Sequence, residues 1–417
     1  MRCAILGCGY IADYYMATLG HHDLSVVGCF DRDAGRRDAF AAAHDVVAYG
    51  SLDDLLADAS VEMVWNLTNP RSHYETTLAC LRAGKHVYSE KPLAMESRRA
   101  AELASFATEA GLGLSSAPCS LLSPAAQTLW KAVEDGRAGT VRLAYAEFED
   151  GMVHRLAYPK WRNARGLPWP ARDEFEVGCT FEHASYVLSW LAAVFGPAER
   201  VTAFSTLRVP DKAAGESRPA PDVTVGCIEY AGGAVARVSC GVVAPRDKSI
   251  RVFGDEATLS VPFVRDDNAP VLREPTAGNR YAAAAGHWAA ALAGRLQKAA
   301  RWPLALSGLS VKRRLPHAVA APHRASGRNK PVDFLRGPAE LAAAVREGRR
   351  SRLPAELGVH LVEIIETLQH PERFERPRRL TTTFEPLRPL WGRERQPAVE
   401  PLRYAAVPPA ATSTPAR

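Results

Sequence analysis

No stretch of these 417 residues approaches the roughly 18 consecutive apolar side chains that a membrane-spanning helix requires. A helical membrane protein is thereby excluded. None of the eight cysteines (Cys3, Cys8, Cys29, Cys80, Cys119, Cys179, Cys227 and Cys240) belongs to a CxxC pair. Zinc-ribbon and disulfide scaffolds are therefore not expected, and the thiols within apolar runs read as small hydrophobes. The first apolar run begins almost at Met1 and leaves no room for a signal peptide. These absences predict a reduced, cytoplasmic protein without a metal site and without internal repeats. Acid is also missing from one long stretch: Arg295 to Val332 holds nine Lys/Arg and no Asp or Glu. The formal charge of +6 is thus concentrated there, and the remainder of the chain sums to −3. Aromatics are sparse in that stretch and no binding motif accompanies it, so neither nucleic acid nor membrane is the expected partner. It reads as a basic surface insertion.

What is present begins with Ile5-Leu6-Gly7-Cys8-Gly9-Tyr10-Ile11-Ala12, followed by Asp31 at the end of the next apolar run. Gly7 allows a tight turn, Gly9 lets a pyrophosphate approach the backbone, and Ala12 lets the coming helix pack on its strand. Asp31 lies 22 residues beyond Gly9, near the spacing of about 20 expected for an acid that holds an adenosine ribose. Such a carboxylate repels a 2′-phosphate, which favours NAD. Arg32 and the Arg36-Arg37 pair could accommodate that phosphate, which makes NADP the less expected cofactor.

The chain is long enough for two or three domains. Over residues 1–118 apolar runs at Cys3–Leu6, Leu24–Phe30, Val61–Leu67, His86–Tyr88 and Leu112–Ser115 alternate with helical patterns at Ile11–Gly20, Asp33–His44, Ser72–Ala83 and Glu96–Ala110. Ser51 reads as the N-cap of a short helix over Leu52–Ala59. This rhythm predicts an α/β, doubly wound Rossmann domain. Residues 119–370 change character. A helix over Pro124–Asp135 leads to a strand, Val141–Glu149, then a Trp/Pro/Arg-rich loop over 150–173 and a helix over Thr180–Phe195. Strands follow at Val201–Leu207, Val223–Tyr230, Ala234–Val243, Ser249–Phe253 and Thr258–Val261, with a hairpin turn at Gly232-Gly233. The expectation is an α+β domain with an open, mostly antiparallel sheet, interrupted by the insertion at 284–331, where His287–Lys298 could form an amphipathic helix. Residues 371–417 read as a C-terminal extension, disordered beyond about 391.

At the end of the fifth apolar run stands Gly84-Lys85-His86-Val87-Tyr88-Ser89-Glu90-Lys91-Pro92-Leu93-Ala94. Beyond the carboxyl end of a strand, a lysine held in a turn by proline can point into the ligand crevice. This segment, the glycine turn, and Asn66-Leu67-Thr68-Asn69-Pro70 with His73 together resemble the Gfo/Idh/MocA family of nicotinamide-dependent oxidoreductases. The resemblance implies that Gly7, Gly9, Tyr10, Ile11, Asp31, Arg32, Thr68, Asn69, Pro70, His73, Glu90 and Lys91 surround the cofactor. It also implies that Lys91 sits beside nicotinamide and substrate, and that a homodimer or homotetramer forms through the C-terminal sheet. The family's Asp-x-Gly-x-His element corresponds to Cys179-Thr180-Phe181-Glu182-His183. His183 matches the catalytic histidine, whereas Cys179 stands in the aspartate position and Phe181 in the glycine position. Glu182 and Glu176 are the nearby carboxylates that could compensate.

The resemblance implies hydride transfer at the CH–OH or ketone of a sugar, nucleotide sugar or cyclitol, with Lys91 polarising the oxygen and His183 moving the proton. Trp161, Arg162 and Cys179 are candidate substrate contacts, since tryptophan faces suit sugar C–H surfaces and arginine suits an acid or phosphate. The same motifs are compatible with a redox-neutral glycoside hydrolase or epimerase that uses NAD transiently, and with a non-catalytic dinucleotide-binding regulator.

Overall fold

The computed structural model describes residues 1–212, 218–276, 312–320 and 332–391. The expected helix over 287–298, nearly all of the basic stretch, and the tail beyond 391 lie outside them. The strand–helix rhythm of the first part becomes a six-stranded parallel sheet of β1 (Arg2–Leu6), β2 (Ser25–Phe30), β3 (Val47–Ala48), β4 (Met63–Asn66), β5 (His86–Ser89) and β6 (Leu114–Ser116), in the order β3-β2-β1-β4-β5-β6. The winding reverses between β1 and β4, which opens a crevice beyond the carboxyl ends of the strands. Register decides what reaches it. Leu6 pairs with Phe30 and with Asn66, and Asn66 pairs with Ser89. Gly7, Asp31, Leu67 and Glu90 therefore leave the sheet side by side.

The helices of this layer are α1 (Ala12–Met16), α2 (Ala34–His44), α3 (Leu52–Ala57), α4 (His73–Arg82) and α5 (Ser97–Glu109). Asp33 caps α2 by accepting from the Arg36 amide, and Ser51 caps α3 by accepting from Asp54, contacts worth about 1 kcal/mol each. α1 is much shorter than its sequence pattern. The Thr18 hydroxyl donates to Asp333, 2.8 Å away and 315 residues along the chain, and Gly20 follows. A tertiary partner thus overrides the helical period.

The second layer holds α6 (Pro124–Glu134), β7 (Val141–Glu149), α7 (Ala171–Val177), α8 (Cys179–Phe195), β8 (Ala198–Thr206), β9 (Val223–Tyr230), β10 (Val235–Gly241), β11 (Ile250–Gly254), β12 (Ala257–Val261), β13 (Leu272–Pro275), β14 (Arg313–Arg314) and β15 (Arg378–Arg379). The nine strands run β14-β13-β12-β11-β7-β10-β9-β8-β15. Every pairing is antiparallel except the central β7/β10 pair. α7 begins inside the segment expected to be a loop. Gly178 separates it from α8 with φ +97°, and a Cβ there would fall 2.6 Å from Gln369 Oε1. α8 is apolar on nearly every face and correspondingly buried from Cys179 to Ala193, His183 excepted.

Two last helices, α9 (Arg336–Arg346) and α10 (Ala355–Gln369), carry the chain back between the layers. α10 packs on both α5 and α8. One apolar core consequently runs from Ile5 and Trp65 of the first sheet through Val187 and Leu191 of α8 to Ile364 and Leu368 of α10. Residues 371–391, set apart in the sequence as an extension, belong to this body. Glu363, fully buried, accepts from Arg378 (2.8 Å), from the Thr381 amide (3.1 Å) and from the amide and hydroxyl of Thr382 (2.9 and 2.6 Å). It thereby holds β15 against β8. Among the described residues no helix is long and apolar enough to cross a membrane.

Glu363→Ala leaves a buried guanidinium and several donors without an acceptor. The expected loss is about 3–5 kcal/mol of unfolding free energy, read from urea denaturation, together with faster proteolysis of the segment after 370.

Candidate active site

The glycine turn divides its work between protein packing and open space. Gly7 has φ +101°, and a Cβ on it would lie 2.7 Å from the Leu67 carbonyl oxygen, so glycine is needed there by the fold itself. A Cβ on Gly9 would meet no protein atom within 4 Å. The amides of Gly9, Tyr10 and Ile11 donate to no described residue. The Asp31 carboxylate, buried at the end of β2, accepts from the Cys8 amide and the Asp33 amide, both at 2.9 Å. Each of its oxygens keeps a lone pair for a ribose hydroxyl. Arg32 beside it is exposed and forms no ion pair with a described residue. Free amides, an open glycine and a fixed ribose acceptor fit a dinucleotide.

The loop after β4 is a scaffold. Asn66, fully buried, donates from Nδ2 to the hydroxyls of Thr76 (2.8 Å) and Thr77 (2.9 Å), and its Oδ1 accepts from the Thr68 hydroxyl (2.7 Å). Asn69 accepts from the Arg71 amide and starts the turn at Pro70. The His73 ring is enclosed and braced between the Pro92 carbonyl (2.6 Å) and the Thr68 carbonyl (3.0 Å). It acts as a strut between two loops, and its burial keeps it away from direct cofactor contact. On the other side of that strut, Glu90 accepts from the Tyr15 hydroxyl (2.6 Å) and the Lys91 amide (3.1 Å), and the Lys91–Pro92 peptide is cis. Lys91 is thus aimed across the crevice, where its Nζ lies 2.6 Å from Glu182 Oε2 of α8. Burial works against the ammonium, but Glu182 together with Tyr186, Glu174 and Glu90 outweighs it and holds the Lys91 pKa above its ordinary value.

His183 follows Glu182 on α8. Its Nδ1 lies 3.0 Å from Asp150 Oδ2, its Nε2 3.7 Å from Glu174 Oε2, and its ring stacks on Phe148 at 5.0 Å. Asp150 directly follows β7 and is also paired with Lys248, which precedes β11. Burial opposes the charged imidazole, yet Asp150 and, after it, Cys179 outweigh burial and raise the His183 pKa well above its usual range. Burial disfavours the Asp150 carboxylate, but His183 and Lys248 outweigh it and hold the Asp150 pKa far below the carboxylate range. Glu174 is pushed up to about 7, first by burial and then by Glu182. The carboxylate missing at Cys179 is therefore supplied from a different element. Glu176 does not compensate: it pairs with Arg71 (3.0 Å) and Arg172 (2.8 Å). Glu182 compensates for nothing at His183 because it is committed to Lys91.

Cys179 still touches the histidine: its sulfur lies 3.4 Å from His183 Nδ1, as well as 3.5 Å from Cys240 Sγ and 3.3 Å from the Gly241 carbonyl. The Cys240 sulfur and burial push the thiol well above its ordinary pKa. Asp150, Cys179 and His183 do offer three donor atoms within 4.8 Å of one another. The ammonium already on Asp150 and the neutral thiol suit a set that holds a proton better than one that holds a cation.

A cavity of about 440 Å³ opens on His183 and Asp150. Trp161 and Trp169, 5.2 Å apart, stand in its wall together with Lys212, Arg246, Lys248 and Arg265. Arg162 is absent from that wall: its guanidinium turns back onto the carbonyls of Pro159 (2.7 Å) and Trp161 (2.8 Å). The cavity is lined instead by Asp150, Glu174, Lys248, Arg246 and Arg265, residues that no sequence motif marks. The acid directly after the clearly alternating strand β7 was the one local signal available.

A description of an oxidoreductase family with an NAD-binding Rossmann fold matches residues 1–117, and one of a GFO/IDH/MocA C-terminal domain matches residues 126–260. The trans-1,2-dihydrobenzene-1,2-diol dehydrogenase of Macaca fuscata fuscata is 32% identical over 170 residues, 40% of this chain and 51% of that enzyme. The chain thus spans about half the length of that relative. Among solved structures, an aldose-aldose oxidoreductase from Caulobacter crescentus complexed with glycerol superposes with TM-score 0.66 at 18% identity, over 89% of this chain and 97% of the other. An oxidoreductase from Agrobacterium radiobacter in complex with NAD+, L-tartaric acid and magnesium gives TM-score 0.65 at 14% identity, over 88% and 94%. These two likenesses establish the shared fold.

The two glycines separate folding from binding. Gly9→Val is expected to leave the thermal midpoint within about 2 °C, a surface-like change, while dinucleotide affinity measured by fluorescence titration falls at least about tenfold. Gly7→Ala is expected to lower the midpoint itself, because its Cβ collides with backbone.

Proposed function

The chain belongs to the Gfo/Idh/MocA family of oxidoreductases, and on that premise we propose that it is an NAD(P)-dependent dehydrogenase or reductase acting at a hydroxyl- or keto-bearing carbon of a sugar-like small molecule. The observation that carries this reading is that Lys91, from the loop after β5, is held by Glu182 on α8, directly before His183, which with its partner Asp150 lines one cavity. A bound nicotinamide would supply hydride exchange at that carbon; the remaining tasks fall to the chain. The Lys91 ammonium stabilises negative charge on the substrate oxygen. His183 exchanges the proton of that oxygen, with Asp150 fixing the ring through Nδ1 and leaving Nε2 for the substrate side. Phe148 behind the ring and Trp161 and Trp169 in the cavity wall limit water.

The charge on His183 sets direction. With its pKa raised, the imidazole is protonated near neutral pH, so it is ready to donate to an alkoxide. Carbonyl reduction is favoured there, and alcohol oxidation gains as pH rises and the ring loses its proton. Asp31 supports NAD, and the exposed Arg32 is the feature that would admit NADP. Self-association through the nine-stranded sheet belongs to the same reading, since Phe204, Leu207 and Val225 stand exposed on β8, β9 and the turn after β8.

Following the reduced-nicotinamide absorbance with a panel of polyols and sugars tests the reaction. Lys91→Ala and His183→Ala are each expected to lower kcat at least about 100-fold with cofactor affinity retained. Normal turnover in both would overturn the assignment. Asp150→Asn removes the counter-charge and lowers the His183 pKa. The alkaline limit of carbonyl reduction should then move down by about 1–3 pH units, while oxidation at neutral pH gains relative to reduction. An unmoved profile would transfer the proton-holding role to Glu174.

A further inference from the structure

The cavity wall contains more positive charge than the protein itself neutralises. Of its four permanent cations, Lys248 is matched by Asp150, and Lys212 by Asp222 at 3.1 Å and by the Ala220 carbonyl. Arg246 and Arg265 differ. Among the described residues neither forms an ion pair nor donates a side-chain hydrogen bond. Each guanidinium lies instead against an aromatic face, Arg265 at 4.7 Å from the centre of Tyr186 and Arg246 at 5.3 Å from that of Phe263. A ring face beneath a guanidinium takes up none of its N–H groups, which stay free to donate.

The arrangement is tied rigidly to the proton-transfer group. Tyr186 stacks on Phe148 at 5.4 Å and 15°, and Phe148 stacks on His183 at 5.0 Å and 14°. Three rings in register therefore set the spacing between the Arg265 guanidinium and the His183 imidazole. Asp150, Glu174 and Glu90 favour the Arg265 charge from a distance, but none of them forms an ion pair with it. Asp150 is occupied by Lys248 and His183, and Glu174 carries a carboxyl pushed up to about 7, chiefly by burial. Arg265, half-buried without a paired counter-ion, is unfavourably placed unless a ligand supplies one, whereas Arg246 is exposed and free to turn to the same ligand.

We propose that Arg246 and Arg265 form an anion subsite, and that the substrate is a sugar-sized acid whose carboxylate or phosphate they bind while its carbinol or keto carbon lies at His183. This rests on the oxidoreductase reading for the second half of the statement only. The cavity, about 440 Å³, sits toward the lower end of the roughly 300–1,000 Å³ typical of small-molecule sites, which suits a monosaccharide acid better than a nucleotide-linked sugar. Paired guanidinium groups recognise planar carboxylate or phosphate oxygens by parallel N–H donation, and the tryptophans cover the C–H faces of the ring.

The test uses the full chain loaded with NAD+ and titrated calorimetrically with glucose, glucuronate and glucose 6-phosphate. At least one acid is expected to bind ten times or more tightly than glucose, and which one does so distinguishes carboxylate from phosphate. Arg246→Ala, at an exposed turn position, should weaken that acid at least tenfold more than it weakens glucose. Arg265→Gln should do the same, with the circular dichroism spectrum confirming its fold. Equal affinity for all three compounds, or equal losses for acid and glucose in Arg246→Ala, would overturn the subsite. Parallel absorbance measurements separate the two readings. Acid binding without any nicotinamide signal leaves the subsite standing and removes the dehydrogenase; turnover of glucose with no preference for the acids does the reverse.

Discussion

The ion pair between Lys91 and Glu182, 2.6 Å long with both side chains nearly enclosed, is the constraint on which the site depends. Its two members come from different layers: Lys91 from the loop after β5, Glu182 from the first turn of α8. Two charges removed from water are tolerable only when they meet in good geometry, and losing one partner of such a pair costs about 3–5 kcal/mol. The pair therefore demands that the two layers hold a fixed relation. The continuous core through α8 and α10 satisfies that demand, with Ile364 and Leu368 packed in the same cluster as Ile5 and Trp65. Rigid packing is what lets a lysine carried by a loop act as a positioned charge.

Glu182 also protects the division of labour inside the site. A carboxylate adjacent to His183 in sequence could have competed for its proton, but the ammonium fixes it as a counter-ion. The proton is left to His183, Asp150 and Glu174. Moving the acidic partner from one helical turn before the histidine to the position just after β7 frees the Cys179 position for packing against Cys240 and the Gly241 carbonyl. Asp150 then needs neutralisation of its own, and Lys248 provides it. The alternation of sign along Lys91, Glu182, His183, Asp150 and Lys248 keeps each buried charge next to an opposite one.

How much of this could be read beforehand follows from sequence separation. The first sheet was legible because its signals are local: runs of a few apolar residues, two glycines, an acid 22 residues on, and Ser51 before Leu52. β7 and β9 appear with the boundaries their alternation implies. The site in the second layer was not legible to the same degree. Asp150 and Lys248 meet because β11 lies antiparallel to β7 with Ile250 opposite Ala146, and no pattern near either residue announces that pairing. Arg162 looked suitable because it stands between aromatic residues, yet two nearby carbonyls capture its guanidinium. The wall arginines lie in turns after β10 and β12 that carry no motif. Helix α1 was overestimated for the same reason, since Asp333, which shortens it, lies 315 residues away.

The loop that walls the cavity is bound to the turn that receives the dinucleotide. Asn163 donates to the Asp13 carboxylate (2.5 Å) and to the Tyr10 carbonyl (3.2 Å), while Arg165 reaches the same carboxylate (2.7 Å) and the Cys8 carbonyl (2.8 Å). Trp161 and Trp169 flank these anchors in the chain. A substrate held against the tryptophans and a cofactor held at Gly9 therefore share one structural element. Any free energy by which one occupant biases that element is returned equally to the other, because coupling between two binding sites is reciprocal. The Arg165–Asp13 pair is largely enclosed, so displacing the loop means exposing or unpairing a charge. The tie thus favours a loop that stays docked through the cycle, with order imposed on the substrate pocket from the dinucleotide side.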